Sequence, residues 1–141
     1  MMTRDEIETK WKTLRERYHL VNEYVRKRDE KRGILVAYKD DNSNVCIGYS
    51  LCCNLDMFDK FDGFEVAIGR ANKMSNKKQL VPTSLSCEER DVAGGKDVFY
   101  IPESIADQFY EFVRRCKKYY KDSNSVLPEW TSCISEELVA E

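Results

Sequence analysis

The sequence predicts an α+β fold: a small, mainly antiparallel sheet flanked by a long N-terminal helix, a short central helix and a C-terminal helix. Three observations predict it. Near each end, apolar residues recur at alternating spacings of three and four, the pattern of an amphipathic helix. Residues 34–52 and 97–101 are rich in β-branched and aromatic side chains and are bounded by turn formers. The 141 residues, 42% of them hydrophobic, are enough for one core without disulfide or metal support.

Residues 3–32 read as one helix. Thr3 can cap it, Glu6 stands in capping-box position, and no Gly or Pro intervenes before Gly33. Ile7, Trp11, Leu14, Tyr18, Val21 and Val25 follow at spacings of 4, 3, 4, 3, 4, a heptad-like stripe. Such a stripe must be buried against a sheet or a second copy of the chain. Gly33 ends the helix; "ILVAYK" and "VCIGYSLC" then form a hairpin about the turn "DDNSN". On its second strand Val45, Ile47, Tyr49 and Leu51 face one way, and Cys46, Gly48, Ser50 and Cys52 the other. The second face is small, so it either admits a closely packed helix or leaves room for a ligand.

Asp56, Asp59 or Asp62 can cap the central helix, residues 63–73, where Phe64, Ala67, Ile68 and Ala71 share one side and Arg70 is offset. The following polar stretch predicts a loop with at most one short strand, around 79–81, and a turn at Gly94-Gly95. "DVFYI" is a further strand. Pro102 opens the last helix, along which Ile105, Phe109, Phe112, Cys116 and Tyr119 are spaced 4, 3, 4, 3. Residues 1–121 thus form a single domain, and 122–141 an acidic tail with a short helix from Pro128. The two stripes exceed what a few short strands can cover, so a homo-oligomer is expected.

Composition narrows the chemistry. Net charge is −2, but residues 1–32 hold ten Lys or Arg against seven Asp or Glu, and residues 109–121 hold five against one. The charged start has no signal-peptide core and no apolar run can cross a bilayer, so a cytoplasmic protein is expected. Six cysteines show no C-x-x-C spacing and His19 is the only histidine, which speaks for structural thiols and against a metal site or a histidine-based triad. No catalytic residue, metal or cofactor is expected. Nucleic acid is not expected either, because no aromatic platform interleaves with Arg114, Arg115, Lys117 and Lys118.

Gly48, Ser50, Cys52, Asp56, Phe58, Asp59, Gly63, Ala67, Arg70 and Ala71 carry a resemblance. The stretch resembles small bacteriophage proteins in which a G-x-[AS]-x-C strand leads through D-x-F-[DN] and Gly to a helix ending A-x-x-R-A. It is also similar, more distantly, to phage anti-defence sponges of the Thoeris-inhibiting type, which bind a cyclic nucleotide without degrading it. The resemblance implies a phage accessory protein in the bacterial cytoplasm, sequestering a small phosphate-bearing nucleotide. Arg70 would meet the phosphate beside Ser50, with Phe58, Phe99 and Tyr100 as aromatic partners. Arg70 can equally pair with Asp56 or Asp59 to fix the loop. In the alternative function, the helices inhibit a host enzyme and the motif is scaffold.

Overall fold

The computed structural model describes residues 3–52, 59–84, 97–121 and 124–134. The fold is α+β, with the order α1 (Arg4–Arg17), β1 (Val21–Lys27), β2 (Glu30–Lys39), β3 (Val45–Leu51), α2 (Lys60–Met74), β4 (Gln79–Thr83), β5 (Val98–Pro102) and α3 (Glu103–Tyr119), then a 3₁₀ turn, Glu129–Cys133. The expected capping box is present: Thr3 Oγ1 accepts from the Glu6 amide while Glu6 Oε1 accepts from the Thr3 amide, both at 3.1 Å.

The N-terminal helix is half the expected length. Tyr18 caps it and His19 takes a left-handed φ of 56°, which lets the Leu20 amide reach back to the Leu14 carbonyl at 3.0 Å. The chain then enters β1, which pairs antiparallel with β2 through a two-residue turn at Arg28 and Asp29, φ 53° and 68°. Gly33 therefore ends no helix. It lies within β2 opposite Leu51, where an added Cβ would stand 2.3 Å from the Ser50 carbonyl oxygen.

The sheet order β1-β2-β3 makes β2 central, and residues 34–37 of β2 have no exposed surface. Ile34, Val36, Tyr38 and Cys46 pack on one face against Ile7 of α1 and Phe61, Phe64, Ala67, Ile68 and Ala71 of α2. Leu35, Ala37, Val45, Ile47 and Tyr49 pack on the other against Phe99, Ile101, Phe109, Val113 and Trp130. Helical layers thus cover both faces, the second aided by the parallel pair β4-β5. Residues 124–134, expected as part of a tail, enter this core. Val126 exchanges backbone hydrogen bonds with Ser43 and Val45, and Trp130 donates its indole N–H to the Met74 carbonyl at 2.9 Å.

The fold takes up both helical stripes within the chain. Ile7, Trp11, Leu14 and Tyr18 lie in or against the first core, and Ile105, Phe109, Phe112 and Cys116 in the second, while Tyr119 is exposed. The surplus of apolar helix surface from which self-association was expected is filled internally.

Candidate functional site

The small face of β3 is filled by backbone. A Cβ on Gly48 would stand 2.4 Å from the Ala71 amide nitrogen and 2.7 Å from the Ala67 carbonyl oxygen. Helix α2 thus lies directly on the strand, with Gly48 and Ala67 and Ala71 as the contact. Asp59 supplies its cap, accepting from the Phe61 amide at 2.8 Å and the Asp62 amide at 3.4 Å. Between its two alternatives, the small face admits a packed helix.

Arg70 sits on α2 but reaches over the rim of β3. The Cys52 amide donates to the Arg32 carbonyl at 2.7 Å, so even-numbered residues of β3 turn their backbone groups to β2 and odd-numbered ones outward. The outward carbonyl of Tyr49 accepts from Arg70 Nη1 at 3.3 Å, and the guanidinium carbon lies 5.0 Å from the centre of the Tyr49 ring. Burial raises the Tyr49 pKa, and Arg70 opposes the rise. Asp59 is occupied as the cap of α2, eleven residues and about 16 Å of helix away. Asp56 and Phe58 lie outside the described residues.

The other expected ligand residues are dispersed. Ser50 is buried on the α2 face of β3, whereas Tyr49 points to the opposite face. Phe99 has no exposed surface, and its ring is enclosed by Tyr49, Phe109 and Trp130 at centroid distances of 5.9, 5.7 and 5.0 Å. A base cannot stack on it without opening the core. Tyr100 is half-buried on β5 and its carbonyl accepts from the Tyr49 hydroxyl at 3.3 Å. Tyr49, absent from the expected set, links Arg70 to β5.

A different face offers an open groove of about 560 Å³, lined by Glu8, Trp11, Lys12, Arg15 and Glu16 of α1, Tyr24 of β1, and Lys60 and Phe61 of α2. Trp11 rests one face on Phe64, the rings 4.4 Å apart and 2° from parallel. The Arg15 guanidinium lies 5.7 Å from the Trp11 ring centre. Phe61 carries Arg4 at 4.7 Å and Lys60 at 5.1 Å, and Tyr24 carries Lys31 at 4.2 Å. Cations thus already lie against these aromatic rings, and the lining as a whole sets Lys12, Arg15 and Lys60 beside Glu8 and Glu16. The Trp11 indole N–H is buried and donates to no acceptor among the described residues, a condition that costs about 1–3 kcal/mol.

Sequence reasoning missed this groove because it placed Tyr24 on a helix. The signal lay in "VNEYVRK", whose valines and tyrosine favour a strand. In β1 the side chain of Tyr24 turns toward the α1 and α2 core, whereas Val25 turns to the other.

Among the described residues, no thiol lines this groove. Burial pushes Cys116 up to about 12 and raises Cys46, with the Tyr38 hydroxyl pulling the latter back. Among the described residues, no group of three or more His, Cys, Asp or Glu side chains is placed to hold a metal ion, and no helix is long and apolar enough to cross a membrane. No family model, curated protein or solved structure matches the chain.

Proposed function

We propose that the protein acts by non-enzymatic binding of a small phosphate-bearing nucleotide, held in the groove between α1, β1 and α2. The carrying observation is the alternation of aromatic rings and cations there: Trp11, Tyr24 and Phe61 beside Lys12, Arg15, Lys60, Arg4 and Lys31. A base has flat apolar rings to lie on, and a phosphate has cations of both point and fork geometry. Arg15 would give up its contact with Trp11 for a phosphate, a charge-assisted exchange. The phage anti-defence role implied by the motif of residues 48–71 belongs to the same proposal, with that motif serving as scaffold. Inhibition of a host enzyme through the helices has less support, since their apolar stripes are turned inward.

The test is calorimetric titration with a panel of cyclic and linear nucleotides, followed by heat release and identification of what was bound. Binding with intact release supports the reading. Lys60→Glu combined with Arg15→Glu should weaken binding at least tenfold at unchanged melting temperature, since both side chains are exposed. Unaltered affinity in that variant would remove the groove from consideration, and a chemically changed ligand would make the protein an enzyme.

A further inference from the structure

We infer that the groove is one part of a longer track that binds single-stranded nucleic acid without sequence preference. The inference rests on the reading of the groove as a site for base and phosphate, and extends it from one nucleotide to a strand.

The extension comes from the β1–β2 hairpin. Arg26, Lys27, Arg28 and Lys31 are all exposed at its tip, against Asp29; Glu30 is held by Arg32 at 3.2 Å. Lys31 joins the tip to the groove, because its ammonium lies 4.2 Å from the ring centre of Tyr24, which lines the groove. Tyr24 and Arg28 are four residues apart, ~13 Å along a strand. Arg4 and Lys60 mark the opposite end, over Phe61. One phosphate cannot reach both the hairpin tip and the Phe61 end. Successive phosphates can, with bases against Tyr24 and Trp11 between them.

The lining also says how such a strand would be read. Among the described residues it contains no Asn, Gln, Ser or Thr, side chains that combine donors and acceptors against base edges. Rings that stack and cations that meet phosphates remain, and in those roles they hold every base alike. Glu8 and Glu16 are the acidic members, and they keep the phosphates to the side of Lys12, Arg15 and Lys60.

Fluorescence anisotropy with labelled oligo-dT and oligo-U of about twelve nucleotides, within the range such sites cover, tests the inference beside mononucleotides and a duplex. Trp130 has no exposed surface, so quenching of tryptophan emission reports Trp11. Both single strands should bind at least tenfold more tightly than a mononucleotide or the duplex. Their log–log salt dependence should have a slope of about −2 to −4, from roughly 0.7 per phosphate neutralised. Lys27→Glu with Arg28→Glu should weaken oligonucleotide binding at least tenfold and leave mononucleotide binding unchanged; Lys27→Gln with Arg28→Gln repeats the test should the reversal disturb the hairpin. Equal affinity for mononucleotide and strand, or indifference to the hairpin changes, overturns the track while the groove reading stands. Absence of binding by both classes of ligand brings down both.

Discussion

Two glycines of the region spanning residues 48–71 have opposite meanings. At Gly48 the atoms nearest a new Cβ are backbone atoms of α2, which cannot turn aside as a side chain would. Gly48→Ala should therefore push α2 off the sheet and cost roughly 3 kcal/mol, the upper part of the range for overpacking, read as a lower denaturation midpoint. Gly69, on the exposed side of the same helix, has nothing within 4 Å of its new Cβ. Gly69→Ala should raise stability by about 0.5–1 kcal/mol, because alanine loses less backbone freedom in a helix. Arg70 is the third test. Arg70→Ala leaves the Tyr49 carbonyl without this donor and removes the cation from the Tyr49 ring, at a cost of about 1–2 kcal/mol. Arg70→Lys should recover only part of that, since an ammonium cannot span carbonyl and ring together. A melting temperature untouched by Arg70→Ala would deny it this structural role.

At the scale of elements, the turns decide what could be read in advance. The hairpin β2–β3, α2, the short strand at β4, β5 and α3 were legible because turn formers and periodicity agreed. The segment from His19 to Gly33 was not. A spacing of four, as between Val21 and Val25, puts two residues on one side of either a helix or a strand, so the stripe ran on without contradiction. The break itself carries no glycine signal: His19, Arg28 and Asp29 take the left-handed region, which His and Asp enter more readily than most residues but which Gly or Asn usually marks. The burial of Phe99 was hidden for a related reason: strand alternation gives the face of Phe99 but not that Trp130, from beyond α3, closes over it. Asp29→Gly should relieve the left-handed strain and stabilise the hairpin by about 1 kcal/mol, seen as a higher melting temperature with no change in far-ultraviolet dichroism.

Across the whole molecule, both faces of the sheet are buried, and among the described residues the ionisable core groups with raised pKa values are weak acids. Burial raises the pKa values of Tyr38, Tyr49 and Tyr120, and of Cys46 and Cys116. In the unfolded chain the thiols lose their protons near 9.0 and the phenols near 10.0; folded, they hold them longer, Cys116 to about 12. The unfolded state therefore binds fewer protons above pH 9. Their contribution is full below that pH and is lost as pH rises through the folded values, by up to ~1.4 kcal/mol per pH unit for each group in its window. Urea midpoints at about pH 8 and about pH 10.5 should fall with the slope m unchanged. Tyr120→Phe should flatten that dependence, although it also removes the hydroxyl's bonds to the carbonyls of His19 and Ala37 at 2.6 and 3.1 Å. A midpoint independent of alkaline pH would show that these groups are wet.

The sheet's order has a consequence in time. Both outer strands have an outward carbonyl tied to a neighbouring helix, Tyr49 by Arg70 and Tyr24 by Gln108 at 3.1 Å. Strand β2 lies between them, under a helical layer on each side. Solvent can reach its amides only when a flanking strand leaves, and each such departure first breaks a side-chain tether and uncovers a core. The amide protons of residues 34–38 of β2 should thus exchange with deuterium only through near-global unfolding, while the hairpin tip at residues 26–32 exchanges from the native state. The molecule would then present a basic tip that samples its surroundings on a base that keeps still.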